Sequence, residues 1–236
     1  VISILNSDDC SYVYSTVIQP DNKILVAGIE CYDFAYGPYR SWAVIRYNSD
    51  GTLDSTFIGF SVTPSTGDDN GASSIILQPD NKIVVAGSAG DYWQGYYDFT
   101  MYRLHPNGSQ DSTFGINGKV SSNFTGNDVS LNVRLLSTGK FILSGFSSNG
   151  STYDFSLACY NSNGTLDSSF GNNGFVSTDF SSSEDKCYAM QIQGDGKIVL
   201  AGVADGDFAL ARYLSELNVG IIENQNSFEQ YYIYPN

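Results

Sequence analysis

The chain has 236 residues and a formal net charge of −14, with 11 Lys and Arg against 25 Asp and Glu. That balance lacks the basic footprint that phosphate binding needs, which argues against nucleic acid as a partner. No apolar run reaches the roughly 18 residues of a membrane-spanning helix. Instead 24 Gly, 17 Tyr and 14 Phe, with only 15% charged residues, suit short strands joined by tight turns.

In chain order, the first expected strand is Val1–Asn6, which aligns with later strands around Val62, Val120 and Val176. The block Gln19-Pro-Asp-Asn-Lys-Ile-Leu-Val-Ala-Gly28 then returns as Gln78-Pro-Asp-Asn-Lys-Ile-Val-Val-Ala-Gly87, Ser137–Gly145 and Gln193–Gly202. Its lysines, Lys23, Lys82, Lys140 and Lys197, lie 59, 58 and 57 residues apart. A second block recurs in phase: Ile45-Arg-Tyr-Asn-Ser-Asp-Gly-Thr-Leu-Asp-Ser-Thr-Phe57, Tyr102–Phe114 and Cys159–Phe170, with only Ala211-Arg-Tyr213 kept in the last copy. Fixed-period self-similarity is the signature of a repeat architecture.

Each repeat reads as four strands, d-a-b-c; in the last copy these are Phe175–Phe180, Cys187–Gln193, Lys197–Val203 and Asp207–Leu214. Strands b and c are nearly continuous apolar runs, and a strand apolar on both sides is covered on both sides. Pro-Asp-Asn, Asp-Gly and Asn-Gly between strands are hairpin turn signals. No window carries a capped 3.6-residue period, so no long helix is expected. The predicted fold is all-β: a propeller-like array of four-stranded antiparallel blades, in repeats of about 1–52, 53–109, 110–165 and 166–214, followed by a divergent 215–236. The chain opens inside a repeat and so reads as the interior of a longer precursor. Val1–Asn6 either pairs with Asp207–Leu214 to close a four-bladed ring or follows further blades upstream.

The chemistry-bearing residues read mostly as structure. Cys10, Cys31, Cys159 and Cys187 show no CxxC or His pairing, so no metal site is expected. Cys159 reads as a buried thiol, and Cys10 with Cys187 form a disulfide only if the first and last repeats are neighbours. Asn48–Asp54 and Asn161–Asp167 open like calcium loops but lack the closing bidentate Glu, which favours hairpin turns. Asp54, Asp111 and Asp167 are expected to pair with Lys23, Lys82 and Lys140, since a–b and c–d turns share one end of a blade. His105, the only histidine, precedes Pro-Asn-Gly in a turn. No Gly-x-Ser-x-Gly elbow occurs. The carboxylate pairs Asp8-Asp9, Asp68-Asp69 and Glu184-Asp185 fall in d–a connections. Of the sequons at Asn107, Asn123, Asn149 and Asn163, three sit on Asn-Gly turns, and turn chemistry explains those better than glycosylation does. No cofactor is implied. The b–c loops of the first two repeats are aromatic, and Tyr36, Tyr39, Trp42, Tyr92, Trp93 and Tyr96 are the candidate contact residues, since Tyr and Trp offer stiff amphipathic area for sugars or proteins.

These blocks resemble the delta-60 repeat proteins of bacteria, whose pattern runs Gln-Pro-Asp-Gly-Lys-Ile, Val-Ala-Gly, Asp-Phe-Ala-Leu-Ala-Arg-Tyr, Asn-Gly-Leu-Asp, Phe-Gly. Residues 193–213 and 78–120 match it closely, and the resemblance covers 1–214. Ser41-Trp42 stands where later copies have Asp-Phe, and Cys159 replaces an Arg. The resemblance implies a propeller-like domain of large exported proteins and carries no catalytic residues. The tail, ending Ile233-Tyr-Pro-Asn236, is similar to the opening of the C-terminal sorting domain of type IX secretion substrates. It implies secretion across the outer membrane of a Bacteroidota-type bacterium, with the type IX machinery as partner. The expected function is therefore a non-catalytic, secreted or cell-surface binding and adhesion module with a glycan or surface-protein ligand. A secreted glycoside hydrolase and a passive spacer are the competing readings.

Overall fold

The structure, a computed structural model, describes residues 11–34, 37–61, 68–91, 96–124, 126–148, 150–180, 184–214 and 229–232. Sixteen strands and no helix occur among the described residues. The chain divides into two compact units, Val1–Ser122 and Asn123–Asn236.

The first unit holds two blades. Blade 1 is β1 (Tyr12–Ile18), β2 (Ile24–Phe34), β3 (Gly37–Tyr47) and β4 (Phe60–Ser61); blade 2 is β5 (Asp68–Leu77), β6 (Ile83–Asp91), β7 (Tyr96–Leu104) and β8 (Lys119–Ser122). Within each blade every neighbouring pair is antiparallel. A one-residue parallel bridge, Arg40 to Asp69, links β3 to β5. The second unit holds blade 3, with β9 (Asp128–Leu135), β10 (Phe141–Ser148), β11 (Tyr153–Tyr160) and β12 (Phe175–Thr178). Blade 4 has β13 (Asp185–Ile192), β14 (Ile198–Ala204), β15 (Asp207–Tyr213) and β16 (Glu229–Tyr232).

The d strand thus pairs with the c strand that precedes it, and blade and sequence repeat are one strand out of phase. The last blade draws its fourth strand from the divergent tail: β16 pairs with β15 from Ala209↔Tyr232 to Arg212↔Glu229. This corrects the alternative in which Val1–Asn6 pairs with Asp207–Leu214, because β14 and β16 occupy both edges of β15. Val1–Asn6 itself lies outside the described residues.

The turns follow from the repeated residues. In each a–b hairpin the residue before the lysine (Asn22, Asn81, Gly139, Gly196) has φ between 63° and 84°. Asn and Gly are the residues that accept this left-handed region. The glycine ending the Val-Ala-Gly block has a different cause. At Gly28, Gly87, Gly145 and Gly202 a β-bulge carries the backbone of the a strand over the b strand, and a Cβ there collides with a carbonyl oxygen, that of Tyr12, Gly71, Val129 and Lys186 respectively.

The apolar runs are buried as their composition demands. In β6, Ile83, Val84, Val85 and Ala86 are all buried, and β7 and β10 show the same continuous burial. β2 and β15 instead alternate: Leu25 and Ala27 are buried between half-buried Ile24 and Val26, and Ala209 and Ala211 are buried beside half-buried Leu210. One core in the first unit joins Leu25, Trp42 and Val44 to Ile83, Val85 and Tyr102. One in the second joins Ile142, Phe155 and Leu157 to Ile198, Leu200 and Tyr213.

Candidate functional site

At the end of the blades where a–b and c–d turns meet, the constant lysine spacing becomes an ion pair. Lys23 Nζ lies 2.8 Å from Asp54 Oδ2, Lys82 Nζ 3.0 Å from Asp111 Oδ2, and Lys140 Nζ 2.6 Å from Asp167 Oδ2. The three carboxylates are buried, so each expected Lys–Asp pair has its acidic partner out of water. In blades 1 and 2 an arginine from the c strand joins it: Arg46 Nε donates to Asp54 Oδ2 at 2.7 Å and Arg103 Nε to Asp111 Oδ2 at 2.8 Å. Each guanidinium also stacks on the phenylalanine that closes the repeat, Phe57 at 4.7 Å and Phe114 at 4.5 Å. The second carboxylate oxygen accepts from the backbone N–H and hydroxyl of Thr56, Thr113 or Ser169.

These contacts favour the charged carboxyl. Donation from Lys23, then from Thr56, holds Asp54 well below the usual carboxylate range. Burial opposes this at Asp111 and Asp167, yet Thr113 and Lys82 at the one, and Lys140 and Ser169 at the other, still hold them low. Cys159 stands where the arginine would be and donates a weak Sγ contact to Asp167 at 3.8 Å. Burial, then the Asp167 charge, pushes its thiol up to about 12. In blade 4 Lys197 turns to its neighbour Asp195 at 2.8 Å.

The other candidates at this end are turn residues. Asp50 accepts from the N–H and hydroxyl of Thr52, Asn163 from those of Thr165, and Asn107 from those of Ser109. This is the hairpin reading of the calcium-like loops and of the Asn107 and Asn163 sequons. His105 sits in the turn closed by Gly108, 3.9 Å from an Asp111 carboxylate that already accepts from Arg103.

At the opposite end, where b–c and d–a connections meet, the expected contact residues separate. Trp42 is 0% exposed: it packs edge-on against Tyr102 with centroids 5.1 Å apart and belongs to the core. This corrects its placement on a contact surface. The b–c loop is shorter than expected, because β3 already begins at Gly37, and Trp42 occupies an inward position of that strand. Tyr96, at the start of β7, is 58% exposed. Tyr39 pairs with Tyr32 through the backbone in β3. Tyr36, Tyr92 and Trp93 lie outside the described residues, as do Ile233, Tyr234, Pro235 and Asn236.

The second unit carries an aromatic cluster at this end that the loop reading did not anticipate. Phe146 meets Tyr153 edge-on at 5.2 Å and Tyr188 at 6.5 Å. Lys186 Nζ lies over the Tyr153 ring at 4.8 Å and is held by an ion pair with Glu184, which raises its pKa. Asn127 donates to the Tyr153 hydroxyl at 2.8 Å. Tyr188 is 53% exposed. Nearby in the same unit, carboxylate oxygens of Asp154, Asp179 and Asp185 lie within 4.8 Å of one another. Asp185 accepts the Phe180 N–H at 2.6 Å and Asp154 the Ser177 hydroxyl at 3.3 Å, so two of the three are tied into the fold. Cys187 is a buried thiol pushed up to about 12 by burial, and Cys10, its expected partner, lies outside the described residues.

A model of the family described as "Domain of unknown function (DUF5122) beta-propeller" matches residues 19–57, 78–114, 136–170 and 193–219, more than half of the chain. The chain belongs to this family. Each of the first three DUF5122 segments runs from the a–b turn to the phenylalanine after the buried aspartate. It thereby contains the lysine and carboxylate of one bridge. No curated protein matches the chain. Among solved structures, a GH32 β-fructofuranosidase of Bombyx mori is similar at 15% identity and a TM-score of 0.41, over 83% of this chain and 47% of that one. The sucrose-6-phosphate hydrolase of Lactobacillus gasseri is similar at 11% identity and a TM-score of 0.39, over 84% of this chain and 47% of that one. This chain spans about half the length of both.

Proposed function

We propose that this DUF5122 chain is a non-catalytic, exported binding module that contacts its ligand with the end of the blades formed by b–c and d–a connections. The observation that supports this reading is the Phe146–Tyr153–Tyr188 cluster with Lys186 against it, exposed at Tyr188. Aromatic faces flanked by amide and charged groups bind the C–H faces and hydroxyls of sugars, and they serve protein partners equally well. Tyr96 offers a second exposed ring in the first unit. The ligand class is a glycan or an exposed protein surface outside the cell.

The variant that tests it is Tyr153→Ala with Tyr188→Ala, probed on a glycan array and on whole cells. Loss of binding with unchanged circular dichroism is expected; undiminished binding overturns the assignment of this surface. Trp42→Ala is unsuited to that purpose, because it empties the core. Turnover on a broad polysaccharide panel would overturn the non-catalytic part of the reading.

Export rests on the tail. The type IX machinery is the proposed partner of a sorting segment opening at Ile233-Tyr-Pro-Asn236, with secretion or surface attachment as the outcome. Because β16 completes blade 4, deleting 215–236 confounds export with folding. Tyr234→Ala with Pro235→Ala in the full precursor separates the two: retention of folded protein in the periplasm is expected, and normal secretion contradicts it.

A further inference from the structure

We infer that Asp154, Asp179, Asp185 and Ser147 form a calcium-binding site in the second unit, at the end of the blades where b–c and d–a connections meet. Carboxylate oxygens of the three aspartates lie within 4.8 Å of one another. Asp185 is 0% and Asp154 7% exposed, while Asp179 is exposed and gives an ion a way in from solvent. The two buried carboxylates are fixed in place, Asp185 by the Phe180 N–H and Asp154 by the Ser177 hydroxyl. Carboxylates gathered this closely repel one another, and taking two of them out of water costs free energy that a bound cation offsets. The lysines of this unit are held by other acids: Lys140 by Asp167, Lys186 by Glu184 and Lys197 by Asp195.

A second observation comes from Ser147. Its backbone pairs with Asp128 on one side and with Asp154 on the other. Directly opposed residues on neighbouring strands project to the same face of a sheet, with Cβ atoms about 4.5–5.5 Å apart. The Ser147 side chain therefore stands between two aspartates. It is 2% exposed, and its Oγ has no hydrogen-bond partner among the described residues. Buried hydroxyls are nearly always bonded, and one that is not marks the place of a water or an ion. Here the hydroxyl donates to neither flanking carboxylate and offers its oxygen as a ligand.

The blade itself does not require these acids. In the first unit Ser41 of β3 and Asn70 of β5 hold the register positions of Asp154 and Asp185, and the strands form there with neutral side chains. The donor set selects the ion. All four groups are hard oxygens, and the neighbouring thiol, Cys187, is turned to Ser144 at 3.9 Å. Ca²⁺ takes about six to eight oxygen ligands in flexible geometry, whereas Mg²⁺ keeps most of its water and uses only one or two carboxylates. Three carboxylates and a hydroxyl, with water completing the shell through Asp179, suit Ca²⁺. The site adjoins the aromatic cluster, since Asp154 follows Tyr153 and Asp185 precedes Lys186, but it stands whether or not that cluster contacts a ligand.

The experiment is calorimetric titration of CaCl2 into the full chain stripped with EDTA, with thermal unfolding in parallel. The parent is expected to bind one Ca²⁺ saturably, more tightly than Mg²⁺, and its melting temperature to rise with CaCl2. Asp179→Asn, at an exposed site that leaves folding intact, is expected to weaken binding about tenfold or more, because affinity follows the charge of the ligands. Ser147→Ala is expected to weaken it too, yet to keep the calcium-free melting temperature within about 2 °C, since no protein hydrogen bond is lost. Asp205→Asn, an exposed acid outside the cluster, should bind as the parent does. A parent without saturable binding, or one that prefers Mg²⁺, overturns the inference. Unchanged affinity in Asp179→Asn or Ser147→Ala overturns it as well, and so does an equal loss in Asp205→Asn, which would mark general attraction of cations to an acidic chain.

Discussion

Arg103 and Asp111 lie 2.8 Å apart and both are buried, the guanidinium stacked on Phe114 and the carboxylate shared with Lys82. The pair ties the c strand of blade 2 to the turn that follows it, while Lys82 ties in the a–b hairpin. Removing one partner of a buried pair leaves an uncompensated charge.

Asp111→Ala is therefore expected to destabilise the chain by about 3–5 kcal/mol. Lys82→Ala, whose side chain is partly exposed, is expected to cost about 1 kcal/mol or less. Urea unfolding measured by tyrosine and tryptophan fluorescence separates the two; equal, small effects would contradict a buried network.

The three bridge aspartates make stability depend on acid in one direction. Asp54, Asp111 and Asp167 all have folded pKa values below the unfolded value of 3.8. Their contribution is complete above that value and is lost as pH falls through the folded ones. The urea midpoint should stay flat from pH 7 to about 5 and fall steeply below about 4. Asp54→Asn should flatten the acid limb, and an unchanged limb would contradict the assignment.

Trp42 and Tyr96 give a contrast within one unit. Trp42→Ala removes a fully buried indole that packs on Tyr102 and is expected to cost about 3–5 kcal/mol. Tyr96→Ala at an exposed strand end should stay within about 0.5 kcal/mol. Thermal unfolding of the two variants distinguishes a core tryptophan from a contact one.

Gly87 tests the bulge. A methyl at this position collides with the Gly71 carbonyl, and the obstacle is backbone rather than a flexible side chain. Gly87→Ala should lower the melting temperature by several degrees, while Gly194→Ala, with open space around its Cβ position, should leave it unchanged within about 2 °C.

Cys159 and Cys187 should resist thiol reagents at pH 8 in the native protein and react fully in urea. Burial raises both thiols to about 12, and the thiolate is the reactive form. Fast native labelling of either residue would contradict the burial.

The strands, the turns and the Lys–Asp bridges were legible in the sequence because each is written three or four times at one spacing. Lys23, Lys82 and Lys140 could be matched to Asp54, Asp111 and Asp167 before any geometry was known. Trp42 was misplaced because its run of aromatics reads as a loop, although it stands four residues before Arg46, as Phe99 does before Arg103. Reading that register would have put it in the core. The Phe146, Tyr153 and Tyr188 cluster left no local signal, since its rings come from three strands and meet only when β10, β11 and β13 are packed. The fourth strand of blade 4 was hidden for the opposite reason. β16 follows a segment that no longer repeats, and only hydrogen bonding to β15 reveals it.

The account depends on sheets whose middle strands are covered on both sides. Amide hydrogen exchange followed by mass spectrometry reads this directly. Peptides spanning 83–86, 99–104, 141–145 and 154–160 are predicted to exchange last and together, at the rate of global unfolding. Exchange of those peptides as fast as the turns at 48–52 or 105–109 would contradict it.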